Sequence, residues 1–123
     1  MRRQRGFTLL EILVALAVLA LSMAALLQAA GSYTRNQAYL RDRTLAEWVA
    51  HNHLVEQQLD QEWASIGKQS GKLDYAGRGW RWESEVFSTP DQDLRRIEID
   101  VFPDDAPKDA TAIARLTGYL ERR

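Results

Sequence analysis

The sequence Arg5-Gly6-Phe7-Thr8-Leu9-Leu10-Glu11 opens an apolar run that continues to Ala30. Between positions 12 and 27, Ser22 is the only residue that is not apolar. The 24 residues of segment 7–30 would extend about 36 Å as an α-helix, enough to cross a hydrocarbon core of about 30 Å. Because lipid offers no partners for backbone amides, we expect this segment to be helical, and its many Ala and Leu residues favour that geometry.

Glu11 is the charged residue of this apolar segment. A carboxylate costs about 2.5–3.5 kcal/mol at the centre of a membrane helix, and less near its end, where Glu11 lies. One interpretation is a boundary residue that reaches for lipid headgroups. In the other, Glu11 awaits a cation: a cut after Gly6 would place the new amine of Phe7 four residues away, one helical turn along the same face, or within reach from a neighbouring subunit. The residues alone leave both interpretations open.

The stretch Gly6-Phe7-Thr8-Leu9-Leu10-Glu11, with its short basic leader and apolar continuation, resembles the cleavage signature of prepilins and type II secretion pseudopilins. The resemblance implies that a prepilin peptidase cuts after Gly6 and methylates the amine of Phe7. It also implies that Glu11 neutralises an N-terminus during filament assembly. Two other targeting signals fit less well. A secretory signal has a shorter apolar core and a small-x-small cleavage site, and a plain membrane anchor leaves Glu11 without a purpose.

Length and charge limit the remaining possibilities. Of the 123 residues, 93 follow Ala30, which allows one small soluble domain, and the absence of cysteine leaves its core without disulfides. The basic leader predicts a cytoplasmic N-terminus and a periplasmic domain by the positive-inside rule. Cleavage would remove three of 16 basic residues and none of the 17 acidic ones, so 13 basic and 17 acidic residues remain. This acidic balance argues against nucleic acid as the main partner.

The helix is predicted to continue beyond the membrane, over residues 31–63, with Gly31 as a possible bend. This segment carries a broad apolar stripe at helical spacing, which we expect to cover the sheet of the soluble domain. Leu40 and Leu54 lie on another face and are candidates for contacts with other subunits. The stripe consists of Ala38, Leu45, Trp48, Val49, Val55 and Leu59.

After a loop predicted at Gly67, Ser70 and Gly71, the period of the sequence changes to two. Alternation predicts strands at residues 80–87 and 97–101, a third strand at about 112–120, and a short edge strand at 72–75. The expected fold class is therefore α+β and pilin-like, with one long N-terminal helix packed on an antiparallel sheet of three to four strands. We expect a leader at residues 1–6, a membrane helix at 7–30, its periplasmic continuation at 31–63 and a sheet domain at 64–123.

The soluble segment 36–52, and Trp80-Arg81-Trp82 with the later 94–98 stretch, resemble type II secretion protein I, a family of minor pseudopilins. The family implies a place at the tip of a periplasmic pseudopilus, where protein I helps to start filament assembly. Its implied partners are the minor pseudopilins J, K and H, the major pseudopilin, the prepilin peptidase and the inner membrane. The alternatives are a minor pilin of a type IV pilus or DNA-uptake filament, and a membrane-anchored periplasmic binding or enzymatic domain.

Other side-chain groupings favour ordinary structural roles. His51 and His53 diverge by about 200° on a helix, so they cannot share a metal, and we expect both at the solvated surface. The acidic turn around two prolines is interpreted as solvated, with calcium binding as the alternative. The tryptophans of the 80–82 strand are predicted to be core residues rather than part of a nucleic-acid site with the nearby arginines. No catalytic constellation emerges, so we expect neither an enzyme nor a cofactor. The acidic turn contains Asp100, Asp104, Asp105 and Asp109, and the arginines are Arg78, Arg81, Arg95 and Arg96.

Overall fold

The computed structural model describes residue 6 and residues 8–122, which form one helix and four strands. These residues divide into two compact units, one ending at Tyr39 and the other beginning at Leu40. The helix α1 spans both units. The elements are α1 at Leu9–Leu59, β1 at Gly67–Tyr75, β2 at Arg78–Ser88, β3 at Leu94–Pro103 and β4 at Ala114–Glu121.

Both ends of α1 have a local cause. Thr8 precedes the helix and accepts a hydrogen bond from the backbone N–H of Glu11 through its hydroxyl oxygen, at 3.2 Å, as an N-cap residue does. The helix ends at Leu59, so the predicted end at residue 63 was four residues too late. Immediately after Leu59, the carboxylate of Asp60 accepts a hydrogen bond from the backbone N–H of Glu62 at 3.1 Å. Such local side-chain bonds compete with helical ones. Gly31 lies inside the helix and does not interrupt it.

The sheet has the order β1-β2-β3-β4, and all neighbouring strands are antiparallel. This architecture confirms the predicted fold class, but the loop predicted at residues 67–71 was wrong, because these residues belong to β1. Gly71 pairs with Trp82 across the strands. A Cβ at position 71 would lie 2.7 Å from Cζ2 of Trp82. The glycine therefore makes room for an indole ring and does not mark a turn.

The connection between β1 and β2 is a two-residue hairpin turn formed by Ala76 and Gly77. Their φ angles are 54° and 74°, which match the left-handed conformations required by a type I′ turn. Gly77 adopts such an angle without steric cost, whereas Ala76 is strained there. The tight turn places Tyr75 opposite Arg78 and sets the pairing of β1 with β2.

One face of the sheet and the soluble part of α1 form the core. In β2 and β3 the predicted alternation is confirmed, with Trp80, Val86, Ile97, Ile99 and Val101 buried. The opposite face of the sheet carries charged residues, among them Glu83, Glu98 and Asp100, as expected for an antiparallel sheet that is covered on one side. The buried residues that α1 contributes to this core are Ala46, Val49, Ala50, His53 and Leu54.

Candidate functional site

The N-terminal segment places its functional candidates at the start of α1. Gly6 and Glu11 are exposed, and Glu11 lies in the first turn of the helix. The sequence Thr8-Leu9-Leu10-Glu11 has the spacing of a capping box, and the hydroxyl of Thr8 makes the expected bond to the Glu11 amide. A carboxylate in this turn also interacts favourably with the positive end of the helix dipole. Phe7 lies outside the described residues, so its approach to Glu11 stays a prediction.

The apolar part of α1 has the surface of a membrane helix. An 18-residue window near the N-terminus has a mean hydropathy of 2.6, and none of that window is buried. By length and composition the helix can therefore cross a membrane. Ser22 donates its hydroxyl proton to the carbonyl of Val18 at 2.8 Å. This bond satisfies the polar group of the run within the helix itself.

The face of the soluble part of α1 that packs against the sheet differs from the predicted face. Leu54, expected to contact other subunits, is only 8% exposed and packs in the core. A Cβ at Gly118 of β4 would lie 2.6 Å from the Leu54 methyl carbons, which shows how closely the helix approaches the strand. Trp48, expected in the core, is 57% exposed. The prediction failed because the predicted stripe is wide enough to allow several helix rotations, and the glycine in β4 selects the one that buries Leu54.

Both histidines were predicted to lie at the surface. His51 is exposed, as predicted, but His53 is buried, so the prediction for His53 was wrong. The imidazole of His53 is stacked on Trp82, with 3.9 Å between ring centroids. Its Nε2 atom is buried and has no hydrogen-bond partner among the described residues. Burial lowers the pKa of His53 below its ordinary value of 6.5, and the carboxylate of Glu56 partly opposes the shift. Burial at the helix–sheet contact therefore favours the neutral form of His53.

The tryptophans and arginines of the sheet connect structural elements. Trp80 is completely buried, which confirms its predicted core position. The Arg78 guanidinium lies 5.0 Å from the centre of the Trp80 ring, and its Nη1 is 2.7 Å from the carboxylate of Asp42 on α1. Arg95 lies over Trp63 and donates a hydrogen bond to the carbonyl of Ala64. These contacts bind helix and loop to the sheet, so the two arginines are not arranged as a basic surface for nucleic acid.

The carboxylates of the acidic turn are dispersed. Arg115 donates two hydrogen bonds to Asp100, at 2.7 and 2.9 Å, and Lys72 lies 3.1 Å from Asp104. Asp105 and Asp109 are exposed. Within residues 6 and 8–122, no group of three or more acidic or histidine side chains is arranged to hold a metal ion. Asp100 and Asp104 therefore each pair with a separate cation.

The folded chain therefore has two candidate functional regions. One is the capped start of α1, with Gly6, Thr8 and Glu11. The other is the exposed face of the soluble helix around Trp48, which sequence reasoning missed because it assigned that tryptophan to the core. The capping-box spacing was available in the sequence as a signal for Thr8. For Trp48 no local signal distinguishes core from surface.

Comparison with known proteins finds matches to both parts of the chain. The family description "Type II secretion system (T2SS), protein I" matches residues 40–121, and a prokaryotic N-terminal methylation motif matches residues 1–27. Type II secretion system protein I of Pseudomonas aeruginosa is 44% identical over 98% of this chain and 97% of its own length. The protein of the same name from Aeromonas hydrophila is 35% identical over 96% and 98%.

Among solved structures, a chain of the GspK-GspI-GspJ complex from enterotoxigenic Escherichia coli has a TM-score of 0.57 and 25% identity. That match covers 68% of this chain and 96% of the other. The apolar helix and these similarities fit anchoring in the inner membrane. The match to residues 40–121 covers the helix from residue 40 onward and all four strands, so the resemblance extends to the folded domain and is not limited to the N-terminal motif. The chain belongs to the type II secretion system protein I family of minor pseudopilins.

Proposed function

We propose that this protein is a core component of the pseudopilus tip and helps to initiate pseudopilus assembly for protein secretion across the outer membrane. The observation that carries the proposal is the 44% identity to a type II secretion system protein I along almost the whole of both chains. The alternative of a type IV pilus or DNA-uptake subunit is not favoured, because the soluble domain matches protein I and not only the N-terminal motif.

The proposed processing is a cut after Gly6, which removes the leader 1–6, followed by methylation of the Phe7 amine. It is supported by the methylation motif over residues 1–27. Residues 7–30 would then cross the inner membrane, residues 31–63 would follow it in the periplasm, and residues 64–123 would complete the periplasmic domain. The basic residues of the leader support this orientation through the positive-inside rule.

Glu11 is proposed to pair with the amine of a mature N-terminus during assembly. Its carboxylate is exposed in the first turn of a helix whose neighbouring side chains are apolar. In lipid such a charge is costly unless a cation compensates it. A freshly liberated amine, in the same chain or on a neighbouring pseudopilin, is a cation that processing itself supplies.

The proposed partners are the pseudopilins J and K, since the similar E. coli chain belongs to a GspK-GspI-GspJ complex. Pseudopilin H, the major pseudopilin and the prepilin peptidase are proposed from the family resemblance. The family is structural, and we propose that this protein likewise acts by binding other subunits, without catalysis, a cofactor or nucleic acid.

The mass of the mature N-terminus tests the processing. Protein from the native envelope should begin at Phe7 and carry one added methyl group. Gly6→Val should block the cut, because a bulky residue obstructs the peptidase, and the leader should stay attached. Recovery of normally sized mature protein from this variant would refute the proposed cleavage site.

Glu11→Val tests the assembly charge, with Glu11→Asp as the matched control that retains a carboxylate. The valine variant should be processed and inserted normally but should lose most of its co-purification with J and K and most exoprotein secretion. The aspartate variant should retain more of both. Wild-type complex recovery by Glu11→Val would disprove the role of Glu11. Intact secretion without the whole protein, together with no binding of J, would overturn the proposed function.

A further inference from the structure

The strand β1 forms one edge of the sheet and is longer than edge strands usually are. It contains nine residues, whereas the common strand length is about five or six. Each of them pairs with one residue of β2, so no bulge interrupts the strand, and it contains no proline. Short strands, bulges and prolines are devices by which proteins prevent another chain from pairing with a sheet edge. The strand β1 uses none of these three devices.

The backbone groups of alternate residues in β1 point away from the sheet. The carbonyl of Gly79 in β2 accepts a hydrogen bond from the backbone N–H of Asp104 at 3.2 Å, so the backbone groups of Gly79 face β3. Asp74 lies opposite Gly79 and is therefore not hydrogen-bonded to it. Hydrogen-bonded and non-bonded pairs alternate along an antiparallel ladder. The residues of β1 whose N–H and C=O groups point outward are therefore Lys68, Ser70, Lys72 and Asp74.

The two edges of the sheet differ in what covers them. On β4, Gln58 of α1 donates a hydrogen bond to the carbonyl of Tyr119 at 3.2 Å, so the helix occupies part of that edge. On β1, no hydrogen bond from elsewhere in residues 6 and 8–122 reaches the outward backbone groups. The four residues that carry these groups are all exposed. The edge of β1 is therefore accessible to a strand from outside the chain.

The side chains of β1 indicate which segment fits this edge. Lys68 and Lys72 are exposed on the polar face of the sheet, where each would face a residue directly opposite on an added strand. The ammonium of Lys72 lies 3.1 Å from Asp104, but the Lys72 side chain is 70% exposed, and exposed ion pairs contribute little. On the other face, Leu73 and Tyr75 are only partly buried at the margin of the core. An added strand would match these faces with carboxylates on one side and apolar side chains on the other.

We infer that the edge of β1 binds an extended segment of another protein as an added antiparallel strand, with carboxylates opposite Lys68 and Lys72. Apolar side chains of the same segment lie beside Leu73 and Tyr75. Main-chain hydrogen bonds supply affinity and alternate side chains supply specificity, as in other cases of strand addition to a sheet edge. A basic segment is rejected, because like charges directly opposite each other on neighbouring strands repel. The site consists of residues of the sheet, so it does not depend on the proposed role in pseudopilus assembly.

A synthetic peptide tests the site. The probe is a C-terminally amidated heptapeptide, Val-Glu-Val-Thr-Val-Glu-Val, which carries fluorescein at its N-terminus and spaces its glutamates as Lys68 and Lys72 are spaced. Its binding to the full-length chain in detergent micelles is measured by fluorescence anisotropy. A peptide with lysines in place of the glutamates should bind at least about tenfold more weakly, because it places like charges opposite the two lysines. A peptide methylated on the backbone nitrogens of the glutamates and the threonine should also bind at least about tenfold more weakly, since it lacks the donors of the ladder.

Variants of the chain test the same site from the other side. Ser70→Pro removes an outward N–H of β1 without removing a hydrogen bond to β2, as proline does at edge positions, and should weaken binding of the probe at least about tenfold. Thr117→Pro is the matched control, because Thr117 lies two residues before Tyr119, whose carbonyl points to the outer edge of β4. This control should bind as the wild type does. The double change Lys68→Glu and Lys72→Glu alters no backbone group and should reverse the preference, so that the lysine peptide binds more tightly than the probe.

Hydrogen exchange locates the bound peptide on the chain. The outward amides of β1 should exchange at least about tenfold more slowly when the probe is bound. Equal binding by the two proline variants, tight binding of the methylated peptide, or protection elsewhere with none at β1 would each overturn the inference. Dimerisation of the chain through β1 without the probe would assign the edge to a second copy and would overturn it as well. None of these outcomes touches the proposed function, which fails instead if neither J nor K co-purifies with the full-length protein.

Discussion

The contact between Leu54 and Gly118 predicts that Gly118→Ala destabilises the wild-type protein but not a variant that lacks the Leu54 side chain. In the folded domain, a Cβ at position 118 would lie 2.6 Å from both methyl carbons of Leu54 and 3.2 Å from its Cγ. Ordinary carbon–carbon contacts lie at about 3.5–4.0 Å. Gly118→Ala therefore requires Leu54 to move. Rotation about the Cβ–Cγ bond cannot relieve the whole overlap, because Cγ itself would lie 3.2 Å from the new carbon, so the helix or the whole side chain must shift in a packed core.

The magnitude follows from two opposing effects. Overpacking a core costs about 1–3 kcal/mol, whereas replacing a glycine by alanine in a strand stabilises by about 0.5–1 kcal/mol through chain entropy. The φ angle of Gly118 lies outside the left-handed region, so the alanine adds no backbone strain. Gly118→Ala should therefore lower the free energy of unfolding by about 0.5–2 kcal/mol. In a small domain about 1 kcal/mol corresponds to a shift of about 4–8 °C in Tm.

The same substitution should become neutral or stabilising in the Leu54→Ala background. Leu54→Ala alone should cost about 2–5 kcal/mol because it leaves a cavity, and the added methyl group at position 118 enters that space. A double-mutant cycle on the soluble fragment 31–123, measured by urea and thermal unfolding, gives the coupling free energy. Equal destabilisation by Gly118→Ala in both backgrounds would show that Leu54 and Gly118 do not touch.

Two further predictions concern the helix–sheet contact. Since burial lowers the pKa of His53 below 6.5, the folded state binds fewer protons than the unfolded state below that pH. The stabilising contribution is complete above about pH 6.5 and is lost as the pH falls toward the folded-state pKa. His53→Phe should flatten the pH dependence of Tm, whereas His51→Gln should preserve it. Trp80→Ala should destabilise the soluble fragment by about 3–5 kcal/mol, whereas Trp48→Ala should leave its Tm nearly unchanged; equal losses would place both rings in the core.

The fold class could be predicted from the sequence because the chain contains two strong local patterns. The apolar run before Ala30 can span a membrane only as a helix, and the alternation at residues 97–101 buries one face of a strand. The N-terminal motif could also be identified, since a charge at a fixed place in an apolar run is specific. The strand β1 was shortened in the prediction, because glycines were interpreted as a loop. Only the position of the Trp82 ring explains why Gly71 belongs in a strand.

The apolar, capped N-terminal helix and the alternating strands follow from the sequence alone, because hydrophobic period and local hydrogen bonding depend on neighbouring residues. Which face of α1 is buried depends on a residue more than 60 positions away: Gly118 lacks a side chain, so Leu54 fits against β4 and Trp48 is left outside. A helix with apolar residues on several faces permits more than one rotation. Only the packing of the sheet against it decided which residues form the core and which remain available to another protein.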